Sequence, residues 1–275
     1  MLLSFLRRTI IPPVWAVMRR LPGGVVFWQW CVNGLRVPPP FAFRPGTNDA
    51  ETFQHVAVEN EYRLPAAFRR DDIVVDIGAH IGSFCYAVLQ RGARHVYGFE
   101  PDADNFACAV RNLQPFGARA QLFRQAVWRS DQPVQKLALA RVDQNHAGVS
   151  ALWGGDASLS GHSTVEAVAL DDVLRTVTHH GQQRVRLLKL DCEASEFPIM
   201  LTARCLDWVD TICGEFQELS GPYSPIPIPE HFKVAGYDRF TITELTDAMQ
   251  HAGFCVESMR HGQTNFGLFF ATRAK

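Results

Sequence analysis

From Asp72 onward, apolar residues fall into short continuous runs and longer helical-period stretches that take turns along the chain. Ile73–Ile77 is apolar apart from Asp76 and stops at Gly78, which predicts a buried strand closed by a glycine turn. Ser83–Arg91 then reads as a helix, and His95–Phe99 as a second strand ending at the acid Glu100. Asp102–Leu113 predicts another helix and Gln121–Val127 a third strand. Strands that alternate with helices in this way pair in parallel, because each crossover carries the chain back to the same end of the sheet.

The stretch from Ser130 to Gly181 breaks this rhythm. It holds strand-like Val134–Ala140 and Val165–Leu170 around a Gly/Ser-rich Gly148–Ser163, and it reads as an insertion that includes a hairpin. Asp171 is placed to cap a short helix before Gly181, and Arg186–Leu190 predicts a buried strand ended by Asp191. A helix opens at Ala194 or Ser195, with Pro198 tolerated in its first turn. Val209–Phe216 follows as a strand, then a helix over Thr243–Ala252 with Thr243 as its N-cap. Strands Phe254–Met259 and Gln263–Thr272, joined by a tight Arg260-His261-Gly262 turn, predict an antiparallel hairpin at the end. The expected architecture is α/β, a mostly parallel seven-stranded sheet with a C-terminal antiparallel hairpin and helices on both faces.

Composition adds limits. With 275 residues, 47% of them hydrophobic, the chain can fill a two-sided core in one domain, expected over 44–275 with the insertion at about 130–181. The 27 basic and 28 acidic residues nearly cancel, so no broad positive field is available to hold a nucleic acid, and none is expected as partner. Seven cysteines form an odd set with no CxxC pair, which fits reduced thiols in a cytoplasmic protein. Residues 1–43 read as a separate arm. Up to residue 40 they hold Arg7, Arg8, Arg19, Arg20 and Arg36, no acid, and Trp15, Trp28 and Trp30. Such a segment suits a lipid interface, here the inner membrane face, and equally suits packing on the domain or a dimer contact. Thr9–Met18 is too short to span a bilayer and is interrupted by Pro12 and Pro13. Arg19 and Arg20 stand where a cleaved signal would carry small residues.

The chemistry concentrates at strand ends. Val75-Asp76-Ile77-Gly78-Ala79-His80-Ile81-Gly82 runs from a strand through a glycine turn into a helix, so the backbone at Gly78 and Gly82 can approach a ligand and helix-terminal N–H groups can hold an anion. Glu100 ends the next strand, where a carboxylate accepts hydrogen bonds from two ribose hydroxyls, so a nucleoside is the expected ligand. Ribose recognition alone separates neither NAD nor S-adenosylmethionine. Asp76 ahead of the turn, and His80 where a dinucleotide site carries a further glycine, favour the methyltransferase form. Asp191 ends a central strand beside the place where open α/β sheets bind ligands, and Glu193 and Glu196 follow at a helix start. Asp191 with Glu215 could also hold a divalent metal. Asn145, His146 and His162 lie in the insertion, where His146 is a candidate base.

From about Arg44 to Phe270 the chain resembles the FkbM-type methyltransferases. The matching pieces are Pro45-Gly46-Thr47-Asn48-Asp49, Glu61-Tyr62, Asp76 to Gly82, Gly98-Phe99-Glu100-Pro101 with Asn105, Gln125-Ala126-Val127, Leu170 to Leu174, and Leu188 to Glu196. In the last block the family pattern resembles Lys-Ile-Asp-Val-Glu-Gly-Ala-Glu, whereas this chain has Ala194-Ser195 in place of Gly-Ala. A later family Glu-Phe-His is Glu215-Phe216-Gln217 here. The resemblance implies a Rossmann-like class I fold, whose members end in such a hairpin while dehydrogenases do not. It also implies S-adenosylmethionine as cofactor and O-methylation of a hydroxyl on a sugar, glycolipid or other small metabolite.

With the strand-end reading, the expected cofactor set is Asp76, Gly78, Ala79, His80, Gly82, Ser83, Phe84, Glu100, Pro101, Asn105, Ala126 and Val127. Methyl transfer needs an aligned acceptor oxygen and a proton acceptor, for which the order of preference is Glu193, Asp191, Glu215 and His146. Two other readings remain at this point: an NAD-dependent oxidoreductase using the same turn, and a membrane-surface scaffold that has lost activity.

Overall fold

The computed structural model describes residues 41–141, 149–154 and 163–274. A helix α1 (Asp49–Phe53) continues as a π-helical segment over Gln54–Glu59. Then come β1 (Ile73–Ile77), α2 (Ser83–Gln90), β2 (His95–Phe99), α3 (Ala103–Leu113) and β3 (Ala120–Phe123). The middle of the chain forms β4 (Ala126–Trp128), β5 (Lys136–Arg141), β6 (Val149–Ser150), β7 (Ser163–Ala169) and α4 (Leu170–Val177). The last part forms β8 (Val185–Leu190), α5 (Glu196–Met200), β9 (Thr211–Gln217), α6 (Ile242–His251), β10 (Phe254–Arg260) and β11 (Phe266–Arg273).

Seven strands make one sheet in the order β10-β11-β9-β8-β1-β2-β3. All neighbours pair in parallel except β11, which runs against both β9 and β10. The first strand is central, with β8 and β2 beside it, because both halves of the chain start at the middle of the sheet and wind outward. That arrangement places a crevice at the carboxyl ends of β1 and β8. Helices cover both faces: one apolar cluster holds Phe197, Leu245 and Met249 of α5 and α6, and the other holds Phe53, Phe84 and Val88 of α1 and α2. Every residue of α2 from Ser83 to Leu89 is buried, since this helix is sandwiched between sheet and the π-helical segment.

Several sequence expectations are corrected. Gln121–Val127 is not one strand: the chain breaks at Arg124-Gln125, β3 ends the large sheet, and β4 enters a second sheet of order β4-β7-β5-β6. The polar pair Arg124-Gln125 separates two short, mainly apolar pieces that pair with different strands. Asp171 does not cap α4, whose N-cap is Ala169; its buried carboxylate accepts from Arg204 N (3.0 Å) and Cys205 N (3.1 Å) instead. The N-cap of α6 is Thr241 rather than Thr243, because Glu244 reaches back to Thr241 in a capping box. The final hairpin has a longer connection than expected, with Arg260 opposite Gly267. Phe41 is buried against Phe53 (centroids 4.5 Å) and Tyr86 (5.0 Å), so the chain packs in the core of the domain from Phe41.

Candidate active site at the carboxyl ends of the central strands

A cavity of about 250 Å³ opens above β1, β2 and β8. Its geometry begins with Gly78, at φ +79°, where a Cβ would come within 1.8 Å of the Asp191 carbonyl oxygen. Only glycine lets the end of β1 lie this close to the end of β8. The turn is held by Gly78 N and Ala79 N, both donating to Phe99 O at 3.0 Å.

Beneath the turn lies a buried ion pair. Lys189 is the cross-strand neighbour of Asp76, both are almost fully buried, and Lys189 Nζ stands 3.0 Å from Asp76 Oδ1. The same ammonium donates to Gly78 O at 2.7 Å and lies 3.7 Å from Asp191 Oδ2. Burial works against the Lys189 charge, but Asp76 and Asp191 outweigh it and hold the ammonium above its ordinary range. Burial raises Asp76 in turn, with Lys189 opposing the shift. Asp76 is therefore a support for the turn and does not line the cavity.

At the end of β2, Glu100 accepts from His80 N (2.7 Å) and Asp102 N (2.8 Å), one of these bonds to each oxygen. The carboxylate is aimed into the cavity with lone pairs to spare. Burial pushes it up to about 7 against the pull of those two backbone donors. Asp102 caps α3 through Asp104 N and Asn105 N, which sets the Pro101–Asn105 wall. Burial lowers His80 to about 4, so its ring is neutral; Nε2 lies 3.3 Å from Arg44 Nη2 and 3.6 Å from Asp49 Oδ1. Arg44 forks onto the buried Asp49 at 2.8 and 3.0 Å, so the segment before α1 clasps the turn.

Opposite stand the acids. Asp191, Glu193 and Glu215 line the cavity together with Glu61, which the sequence reading left without a role. Tyr62 donates its hydroxyl to Asp191 Oδ2 at 2.8 Å. Burial, then the charges of Asp191, Glu193, Glu196 and Glu61, push Glu215 up to about 9, which favours its protonated form at neutral pH. Burial, then Asp191, push Glu61 up to about 7. Glu193 and Ala194 both have left-handed backbone, φ +56° and +72°, which turns Glu193 toward the cavity before α5 begins. Ala194 stands where the resembled family has glycine, and its conformation explains that preference. Glu196 does not share a face with Glu193: it is buried, and its Oε1 accepts from Cys192 N at 2.5 Å.

Of the expected cofactor residues, Gly78, His80, Glu100, Pro101, Asn105, Ala126 and Val127 line the cavity. Ala79, Gly82, Ser83 and Phe84 lie behind it with Asp76, packed in the α2 layer. His55, Glu61, Tyr62 and Gln125 also line it, and Glu61-Tyr62 and Gln125 enter the sequence analysis as pieces of the family resemblance. Asn145, His146 and His162 lie outside the described residues. Among the described residues no group of three His, Cys, Asp or Glu side chains is set to hold a metal. Asp191 and Glu215, the two acids considered for a metal, both line the cavity, and Lys189 Nζ stands 3.7 Å from Asp191 Oδ2.

The family profile described as Methyltransferase FkbM domain matches residues 76–254. No curated protein is similar enough in sequence to count as a match. Among solved structures, an O-methyltransferase family protein from Burkholderia thailandensis is similar at 10% identity and TM-score 0.44, over 82% of this chain and 55% of that one. Precorrin 8W decarboxylase from Methanobacterium thermoautotrophicum is similar at 14% identity and TM-score 0.40, over 87% and 100%. Magnesium protoporphyrin IX methyltransferase from Synechocystis PCC 6803, with bound SAM, is similar at 11% identity and TM-score 0.39, over 82% and 79%. The profile runs from the first residues of the glycine turn through the acidic strand end to the last hairpin, and by that match the chain belongs to the FkbM methyltransferase family.

Proposed function

We propose that this protein transfers a methyl group from S-adenosylmethionine to a hydroxyl of a sugar, glycolipid or similar small metabolite. The observation that carries the reading is the division of one cavity into a nucleoside side, built on Gly78 and Glu100, and an acidic side, built on Asp191, Glu193 and Glu215. The close approach at Gly78 and the doubly bonded Glu100 carboxylate fit a nucleoside. S-Adenosylmethionine supplies an electrophilic methyl group on sulfur. As the acceptor oxygen bonds to that carbon, the carbon–sulfur bond breaks and its electron pair returns to sulfur. The hydroxyl proton passes to the carboxylate of Glu193, with Asp191 aligning the acceptor and protonated Glu215 donating to a neighbouring acceptor oxygen. The acidic side disfavours phosphorylated acceptors and suits neutral polyols. The arm before residue 41 is proposed to touch anionic lipid, which would bring a glycolipid acceptor within reach.

The test has two stages. S-Adenosylmethionine or its demethylated product should raise the melting temperature of the protein, and NAD should not. Glu193→Gln should then lower turnover on methyl glycosides by on the order of 10²–10⁴, with cofactor affinity nearly unchanged. Stabilisation by NAD alone would remove the methyltransferase reading, and near-normal turnover of Glu193→Gln would move the base elsewhere.

A further inference from the structure

Asp191 leaves β8 at the cavity wall with about a third of its side chain exposed (35%). Two neighbours hold one of its carboxylate oxygens: Tyr62 on the cavity wall and Lys189 of the same strand. Tyr62 donates to Oδ2 at 2.8 Å, and Lys189 Nζ faces the same oxygen at 3.7 Å. Oδ1 has no hydrogen-bond partner among the described residues and is the oxygen left for a ligand.

Tyr62 is itself held rigidly. Asn60 adopts left-handed backbone (φ +61°) and its side chain bridges Leu64 N (2.9 Å) and Leu64 O (3.0 Å), closing the turn that carries Glu61 and Tyr62 inward. The Tyr62 ring is only 3% exposed, stands edge-on to Phe84 at 5.6 Å, and lies 5.8 Å from the Lys189 ammonium. Phenylalanine would fill this space equally well, so packing does not call for the hydroxyl. A buried hydroxyl costs free energy unless it is bonded, and here its bond goes to a cavity carboxylate. Burial, and then the Asp191 charge, hold the phenol well above its ordinary range, so it remains a donor at any working pH.

We propose that Tyr62 is a positioning residue for methyl transfer: its hydroxyl pins Asp191 Oδ2 against Lys189 so that Oδ1 is presented to a hydroxyl of the acceptor. This rests on Asp191 standing at the acceptor end of the site, as proposed above. The same contacts tie the acceptor side to the cofactor turn, because Lys189 bonds Gly78 O and contacts Asp191 with one ammonium.

The test is Tyr62→Phe in the full-length protein. Three quantities are measured: S-adenosylmethionine affinity by calorimetry, melting temperature, and transfer of tritiated methyl to a mixture of methyl glycosides of glucose, mannose, galactose, rhamnose and fucose. Turnover at saturating glycoside should fall on the order of ten- to a hundredfold, the effect of losing one hydrogen bond to a charged group, while cofactor affinity stays within about twofold. Because Tyr62 acts through Asp191, the same change made on an Asp191→Asn background should have little further effect. Unchanged turnover in Tyr62→Phe, or an equal further loss on the Asp191→Asn background, overturns the proposal while leaving the methyltransferase reading intact. A loss matched by equally weakened cofactor binding and stability makes Tyr62 structural only and overturns it as well. A parent protein that binds S-adenosylmethionine yet methylates none of the glycosides overturns both this inference and the sugar acceptor. A parent that does not bind S-adenosylmethionine overturns the proposed function itself.

Discussion

Glu215 has an ordinary value of 4.5 as a free side chain and is pushed up to about 9 in the fold, first by burial and then by the charges of Asp191, Glu193, Glu196 and Glu61. Between those limits the folded protein holds a proton that the unfolded chain has released. The stabilisation is therefore complete below the unfolded value and is lost as pH rises through about 9. Glu61, raised to about 7 by burial and Asp191, acts in the same direction over a narrower window. Glu215→Gln removes the larger of these titrations without changing shape. Its melting temperature should fall less than that of the parent between about pH 5 and about pH 9, and should exceed it at the alkaline end. Parallel curves for the two proteins would mean that Glu215 is already charged at neutrality.

The element on which the site depends is the turn from β1 into α2. Gly78→Ala adds two costs that can be separated: left-handed backbone for a residue with a Cβ, and a clash with the Asp191 carbonyl oxygen that only a shift of β8 relieves. Left-handed strain contributes about 1–2 kcal/mol, and forced overpacking about 1–3 kcal/mol more. Gly46 has a similar φ of +77° with nothing near its Cβ position, so Gly46→Ala carries the strain alone. Urea unfolding should show Gly78→Ala as the more destabilised, by about the overpacking term, and it should also lose cofactor binding. Equal destabilisation of the two variants would mean that the ends of β1 and β8 are not in contact. The neighbouring turn at Glu193 and Ala194 shows the same logic in milder form, since Ala194 takes φ +72° with its methyl fully buried. Its retention of alanine trades backbone strain against about one buried carbon's worth of apolar contact, roughly 0.8 kcal/mol.

At the scale of the whole molecule, charge is balanced overall but uneven along the chain: 27 basic against 28 acidic residues in total, with five arginines and no acid in the first 40. Among the described residues no helix is long and apolar enough to cross a membrane. Deleting residues 1–40 should leave a folded protein that binds S-adenosylmethionine, because Phe41 onward already packs in the core against α1 and α2. The deletion should reduce sedimentation with vesicles containing phosphatidylglycerol, by about 1 kcal/mol of binding for each arginine near the surface, and raised salt should have the same effect on the parent. If the full-length protein stays in the supernatant with such vesicles at low salt, the arm serves another contact.

The sequence by itself determined what depends on neighbours along the chain. Strand and helix periodicity, the glycine turn after β1 and the acids at strand ends are all local patterns, and they marked the α/β order and much of the cavity wall around Gly78 and Glu100. Its errors have different causes. Gln121–Val127 carries a polar pair, Arg124-Gln125, at the point where the chain leaves the large sheet, but a polar pair inside a strand-length segment does not by itself show that the two pieces pair in different sheets. Thr241 with Glu244 three residues later is a local capping-box pattern, which the choice of Thr243 as cap overlooked. Asp171 reads as a cap because the Arg204 and Cys205 amides it serves lie more than thirty residues away. Tertiary structure alone decided that Asp76 is a support beneath the turn, that Glu196 is a buried backbone acceptor, and that Glu61 and Tyr62 belong to the site. Tyr62 meets Asp191 across 129 positions of chain, a contact that no local spacing encodes, because it is made by the sheet order that sets β8 beside β1 under the folded-back segment before it.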